Sequence, residues 1–360
     1  MLNQLLISFP MQICLFWGIF FLIRSLNRPS EPRIVWTLVL FYAVGTVLYL
    51  NHWLYFSNMR STIGAYTYLL ANLSVYPIYY TYLRTLTRTR SVVEQLCLFI
   101  PTVLCAILFP LNAWFGWQNE QTLILFSRCC FAAQVLWVWI RGYLLLRATR
   151  RRMDDTYSDE RSYLLQPTYV LQHLLGITAF ISSVLNIVGR DFFVREAPVA
   201  VPAVVMSVLL FGLGYVAAHT SLPQDTVALE EETEHKEEAT TEETDALMFR
   251  IADALREQKL YADPRLTIQD LATAVNSNRT YVSNCINRCT GFSFSQYVTR
   301  YRVENAQRVL CDPQYENDHD AVAAAIALSG FTSDQNFYRV FKDATGMTPL
   351  QYRNGKNEKK

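Results

Sequence analysis

Seven apolar runs of similar length fill the first 222 residues, at 4–23, 34–56, 63–83, 92–114, 121–146, 168–189 and 198–219. Each comes close to the ~20 residues a helix needs to cross ~30 Å of hydrocarbon. A helix buried in a soluble core is usually shorter and keeps a polar stripe, so seven such runs in succession exclude an ordinary soluble domain here. The loops between them are asymmetric. Arg24, Arg28, Arg33, Arg84, Arg88, Arg90, Arg147, Arg150, Arg151, Arg152 and Arg161 fall on one side, against Arg60, Arg190 and Arg195 on the other. Arginine-rich loops stay in the cytoplasm, which predicts seven spans with the N-terminus outside and the C-terminus inside. Trp36, Trp53, Trp114 and Trp117 stand at run ends, the headgroup level that amphipathic rings prefer. The first charge, Arg24, follows the first run, and no basic segment precedes that run, unlike a cleavable signal peptide.

Composition separates this part from the rest. The 360 residues are 51% hydrophobic and 18% charged, with net charge +1, a balance that excludes disorder, collagen and a disulfide scaffold. By block, residues 1–222 carry +7, residues 223–245 carry −9 and residues 246–360 carry +3, and all seven Trp lie at or before Trp139. Three segments follow: a membrane domain at 1–222, an acidic flexible linker at 223–245 and a basic domain at 246–360. The linker cannot bury a core, and as a coil it spans ~25–30 Å.

Within the runs there is little chemistry. Glu94 and Glu120 sit at run edges and no Asp or Glu lies deeper, which argues against a proton- or sodium-coupled transporter. Arg128 stands ~10 Å into the fifth run, within snorkelling reach of the outer interface. His52, Asn72, Gln134, His173 and Asn186 either hydrogen-bond between helices or line a ligand pocket. Of these and Arg128, the candidate intramembrane ligand-binding residues are Arg128, His52 and His173. Cys14, Cys97, Cys105, Cys129 and Cys130 are scattered packing groups without metal-ligand spacing. Nowhere does the chain show a nucleophile–base pair, a metal cluster, a phosphate-cradling Gly loop or a kinase-like motif. No enzyme, cofactor or metal is expected.

Beyond the linker the period changes. Ala246–Lys259 reads as an amphipathic helix with Leu247, Ile251 and Leu255 on one face. Thr267 and Asp270 form a capping-box pattern that opens Ile268–Val275. A turn at Asn276–Asn278 leads to Arg279–Cys289, closed by Gly291. Leu271, Ala272, Val275, Val282 and Ile286 supply the buried contacts, while Arg279, Thr280, Ser283, Asn284 and Asn287 face outward. Such short hydrogen-bonding groups suit a major groove. The arrangement then repeats. Asp320 caps Ala321–Ser329, Gly330–Thr332 turn the chain, and Ser333 caps Asp334–Ala344. Phe337, Val340 and Phe341 point inward; Gln335, Asn336, Tyr338, Arg339 and Lys342 point outward. After Gly346, Thr348 and Pro349 open a last helix. The two units cover about 267–290 and 321–345. Between them Ser293–Cys311, with Phe294, Val298, Tyr301 and Val309 on one face, makes a helix of ~27 Å. A stiff connector of that length can set two recognition helices into successive major grooves, ~34 Å apart.

Three stretches, LTIQDLATAVNSNRTYVSN, TGFSFSQYVTRYRVENAQRVL and SGFTSDQNFYRVFKDATGMTPLQYR, resemble the DNA-binding domain of AraC/XylS-type regulators, over the last ~100 residues only. The resemblance implies two helix–turn–helix units joined by a long helix, and a transcriptional activator. Carried over by position, it implies base contacts from Thr280, Ser283, Asn284, Asn287, Gln335, Asn336 and Arg339. It implies backbone contacts from Asn278, Arg279, Tyr281, Ser333, Tyr338 and Lys342. The chain departs from the pattern at Cys285, where a bulky apolar residue is usual, at Ile286, where an aromatic is common, and in the Ala-rich helix after Asp320. Cys285 and Cys289, at i and i+4, read as reduced cytosolic thiols.

The expected fold is all-α: an N-terminal seven-helix transmembrane bundle plus a C-terminal double helix-turn-helix domain joined by an acidic linker. The linker then acts either as a solvated spacer or as an acidic decoy that competes with DNA. The expected function is a membrane-bound, sequence-specific transcriptional regulator of the bacterial inner membrane. The expected partners are double-stranded DNA in adjacent major grooves, the lipid bilayer, RNA polymerase, a second copy in a homodimer, and an unidentified small-molecule or protein signal. The alternative is a seven-span receptor or carrier whose C-terminal helical domain binds a protein partner.

Overall fold

A computed structural model describes residues 2–27, 32–59, 61–89, 93–116, 119–159, 161–188, 200–219, 241–315 and 317–357. The described residues form fourteen α-helices with two short 3-10 turns. They divide into two compact units. The first comprises 1–148 and 164–227, and the second comprises 149–163 and 228–360. The expected boundary near 222 thus has an exception, because Thr149–Tyr163 pack with the C-terminal unit.

The first unit holds α1 (Leu2–Asn27), α2 (Pro32–Phe56), α3 (Thr62–Leu86), α4 (Val93–Phe115), most of α5 (Glu120–Thr156), α6 (Gln166–Val188) and α7 (Ala200–His219). Among the described residues, six helices are long and apolar enough to cross a membrane: α1, α2, α4, α5, α6 and α7. The third expected run folds as α3, which has the length but falls short of that apolarity. The reason is its position. Thirteen of its 25 residues are buried, among them Tyr79, Tyr80 and Tyr82, and a helix enclosed by protein can carry hydroxyls that lipid would reject.

Side chains tie these helices together by reaching for carbonyls. The Tyr42 hydroxyl donates to Leu210 O at 2.9 Å, Thr102 Oγ1 to Leu73 O at 2.9 Å and Gln134 Nε2 to Leu98 O at 2.7 Å. Gln134 is therefore a bridge between α5 and α4. Trp17 of α1 lies flat against Gly214 of α7, where any Cβ would collide with the indole. Glu94, at the start of α4, gathers three donors: the Tyr80 hydroxyl at 3.0 Å, Arg84 Nη1 at 3.3 Å and Arg141 Nε at 2.8 Å. Arg84 is only 2% exposed, so this carboxylate neutralises a cation that water cannot reach.

The second unit is built from α8 (Thr241–Arg256), α9 (Ile268–Ala274), α10 (Arg279–Thr290), α11 (Phe294–Leu310), α12 (Asp318–Leu328), α13 (Asp334–Thr345) and α14 (Pro349–Asn357). The expected helix at Ala246–Lys259 begins and ends earlier, as α8. The expected linker at 223–245 lies outside the described residues up to 240, and its last five residues are the first turn of α8. Two apolar cores share one helix. Phe294, Tyr297 and Val298 of α11 pack into the first core, with Leu247, Leu271, Val282 and Ile286. Val303, Ala306 and Leu310 pack into the second, with Ala325, Phe337 and Phe341.

Removing one partner of a buried ion pair strands the other and costs ~3–5 kcal/mol. Because Glu94 keeps some exposure, we expect Glu94→Ala to lower the stability of the full-length protein by about 3 kcal/mol. Glu94→Gln, which can still accept from Tyr80, should cost less. Thermal unfolding in lipid nanodiscs measures both.

Candidate nucleic-acid interface

The first helical pair is set by its caps. Thr267 accepts from the Asp270 amide while the Asp270 carboxylate accepts from the Thr267 amide, closing the expected capping box. At the far end Asn276 takes a left-handed φ of 51°. Asn276 N donates to Thr273 O and Ser277 N to Ala272 O, the bond pair that ends a helix in a Schellman turn. Asn278 then caps α10, its Oδ1 accepting from Tyr281 N at 2.7 Å, and Gly291 closes that helix in the left-handed region. This turn fixes the angle between α9 and α10. Thr280, Asn284 and Asn287 are exposed, Arg279, Tyr281 and Ser283 are half-buried at the rim, and Val282, Cys285 and Ile286 face inward.

The second pair begins earlier than expected. Asn317, not Asp320, is the N-cap: its Oδ1 accepts from Asp320 N and its Nδ2 donates to Asp320 Oδ2, both at 2.8 Å. Asp320 thus completes the cap from the third helical position, and α12 starts at Asp318. Ala321 and Ala325 are fully buried, so the Ala-rich sequence lets α12 lie close along α11. Ser333 caps α13 through Asn336 N, as the spacing predicts. Gln335, Tyr338, Arg339 and Lys342 are exposed, but Asn336 is not. Asn336 is 9% exposed and its Oδ1 accepts from Arg339 Nη2 at 2.7 Å. This corrects its expected outward position: in this structure its side chain holds Arg339 rather than facing outward.

Gly330, between α12 and α13, has a φ of 72°, and a Cβ there would lie 2.5 Å from Tyr261 O and 2.8 Å from Ala262 O. Tyr261 belongs to the core of the first helical pair, so this close approach docks the second helical pair on the first.

Two arginines that the sequence reading passed over hold the frame. Arg302 is 2% exposed and donates to Tyr261 O, Ser158 O, Ser158 Oγ and Asp263 O at 2.8–3.0 Å. Arg353 of α14 donates to Asp318 Oδ1, Leu310 O and Tyr315 O at 2.6–2.9 Å. A signal for Arg302 existed. Phe294, Val298, Arg302, Ala306 and Leu310 form one i, i+4 row, and a cation in an apolar row must be paired or stapled. No signal existed for its partner Ser158, which lies 144 residues away.

Cys285 is buried against α8 and its thiol donates to Thr244 O, so a small residue here makes room for that helix. Burial pushes the Cys285 thiol up to about 12, leaving it un-ionised at neutral pH; Cys289 on the same helix is exposed. In the bundle, the three candidate ligand residues separate. His52 lines a cavity of the bundle, and neither Arg128 nor His173 is part of that cavity's lining. His173 instead accepts from Trp139 Nε1 at 3.3 Å, among Tyr143 and Tyr169.

For Gly330→Ala we expect a loss of about 3 kcal/mol, from left-handed strain and overpacking together. It should appear as a lower melting temperature and faster proteolysis within 246–360.

A family model described as "Helix-turn-helix domain" matches residues 271–355. The melibiose operon regulatory protein of Escherichia coli (strain K12) is 35% identical over 92 residues, which cover 25% of this chain and 28% of that protein. YisR of Bacillus subtilis (strain 168), an uncharacterized HTH-type transcriptional regulator, is 28% identical over 101 residues, covering 28% of this chain and 33% of that one. The regulatory protein PocR of Salmonella typhimurium is 27% identical over 109 residues, covering 30% and 34%. The chain thus spans about a third of the length of these curated relatives. No solved structure matches it. Residues 271–355 are thus an AraC-type helix-turn-helix domain, the segment that the chain shares with these transcriptional regulators.

Proposed function

We propose that the chain is a membrane-embedded, sequence-specific transcriptional regulator. Its seven-helix bundle anchors the protein in the bacterial inner membrane and receives a signal, and its cytoplasmic domain reads DNA. The carrying observation is the pair of capped helix–turn–helix units on the shared spine α11, seventeen residues long and ~26 Å at 1.5 Å per residue. That length suits α10 and α13 entering successive major grooves on one face of a duplex.

In this reading Thr280, Ser283, Asn284, Asn287, Gln335 and Arg339 meet base edges, with Asn336 orienting Arg339. Asn278, Arg279, Tyr281, Ser333, Tyr338 and Lys342 meet the phosphate backbone. RNA polymerase and a second copy of the chain are the protein partners. The bundle crosses the membrane seven times, α3 being the enclosed span. Two observations support a cytoplasmic C-terminus. The arginine count favours an inside position for the junction of α5 and α6, and Thr149–Tyr163, the last turns of α5 and the start of that junction, pack in the same compact unit as the DNA-binding domain.

Genome-wide mapping of DNA bound by the full-length protein tests the reading; random recovery overturns it. On the recovered site, Arg339→Ala should cost ~1–3 kcal/mol of discrimination against mismatched sequences. Lys342→Ala should weaken all duplexes evenly and reduce the salt slope by ~1. Electrophoretic titrations at several salt concentrations separate the two.

A further inference from the structure

We infer that the helix bundle holds a binding site for an uncharged, mainly apolar molecule bearing a hydrogen-bond acceptor such as a ketone or ester oxygen. A cavity of about 240 Å³ lies within the first unit, between α1, α2, α3, α5, α6 and α7. A 150 Å³ cavity takes a benzene, so this one takes a molecule of about ten non-hydrogen atoms. Its wall is dominated by Phe, Tyr, Leu, Val and Ala, and no Asp, Glu, Lys or Arg occurs among the described residues that line it. An ionised ligand would enter unpaired, at a prohibitive desolvation cost.

Two donors mark the polar end. Asn72 and Tyr79 both line the cavity and are 6% and 3% exposed. Neither Asn72 Nδ2 nor the Tyr79 hydroxyl finds a partner among the described residues. They stand seven residues apart on α3, two helical turns, and so share a face. Each orphaned buried donor costs ~1–3 kcal/mol, a cost that Leu at 72 and Phe at 79 would remove. An acceptor on the ligand offsets that cost, and the preference for a carbonyl over an alkane follows. Pro10, Phe56, Asn186 and Pro202 line the cavity from the helix ends opposite those carrying Arg24, Arg33, Arg84 and Arg147. By the arginine rule this is the extracytoplasmic end, from which the cavity reaches past mid-helix to Phe41, Tyr79 and Leu175. Occupancy stands on the cavity alone; its use as a signal rests on the regulator reading.

The test is the melting temperature of the full-length protein in nanodiscs with 2-nonanone or with n-decane, molecules of equal size. The ketone should raise the midpoint by roughly 4 °C and decane by much less. Asn72→Leu combined with Tyr79→Phe should raise the midpoint without ligand and erase the advantage of the ketone. Equal responses to ketone and alkane mean that the space simply takes hydrocarbon, and overturn the assignment, as does a ketone response that survives the double substitution. DNA binding enters none of these measurements, so failure here leaves the regulator reading standing.

A separate set of contacts points to a clasp over the recognition helices. Inside the second unit, Thr149–Tyr163 touch both. The Asp155 carboxylate lies beside the Asn287 side chain on α10, and the Arg339 guanidinium on α13 lies 5.7 Å from the centre of the Tyr163 ring. Between them the segment is pinned: Ser158 N donates to Leu266 O at 3.1 Å, Tyr157 pairs with Thr267 as a single antiparallel bridge, and Arg302 binds Ser158. With Asp155 beside Asn287 and the Tyr163 ring against Arg339, the segment occupies the approach to two base-reading side chains, so this arrangement opposes DNA binding. Asp155→Ala with Tyr163→Ala in the full-length protein should tighten binding about tenfold to a duplex selected from random sequence on the wild-type protein, read by fluorescence anisotropy. Unchanged or weaker binding overturns the clasp and makes the segment a bystander or part of the DNA interface.

Discussion

Arg302 is the fixed point of the second unit. A guanidinium with no access to water must satisfy its planar fork of donors inside the protein, and Arg302 does so with carbonyls drawn from Tyr261, Asp263 and Ser158. Those carbonyls come from the stretch that precedes the first helical pair and from the loop after α5. One side chain therefore gathers two chain segments against the middle of α11. The flanking positions on α11 then turn one end of the helix into the first core and the other into the second.

Much of this was legible beforehand. Caps were the clearest signals, because a Ser, Thr or Asn oxygen at a helix start has one local job: Thr267, Ser333 and Thr348 each accept from an amide three residues on. Gly291 and Gly346, both in the left-handed region, were equally readable as helix ends. The failures were also physical. Asp320 looked like a cap because it precedes an apolar run, but Asn317 offers both an acceptor and a donor and captures the earlier position. Asn336 fell on the outward arc by angle alone; angle cannot report that a neighbouring Arg turns back to claim its amide oxygen.

In the bundle the legible quantity was hydropathy, which reports what faces lipid rather than what a helix is surrounded by. It could not show that α3, whose tyrosines are tolerated among other helices, is enclosed by protein. It could not rank the polar residues inside the runs either. Gln134 proves to be a bridge to a carbonyl, His173 part of an aromatic cluster, and Asn72 a donor left over. Sequence alone cannot distinguish these, since the difference lies in which residue from another helix stands opposite.

The sharing of α11 by both cores has a consequence for the DNA. The domain has no seam at which one helical unit could swivel while the other stayed docked, and Gly330 presses the two together at a second point. Such a body works as a ruler of fixed length and phase. In the proposed reading, an operator must offer its two half-sites on the same side of the double helix. Inserting about five base pairs, half a helical turn, between them would then be as damaging as erasing one half-site.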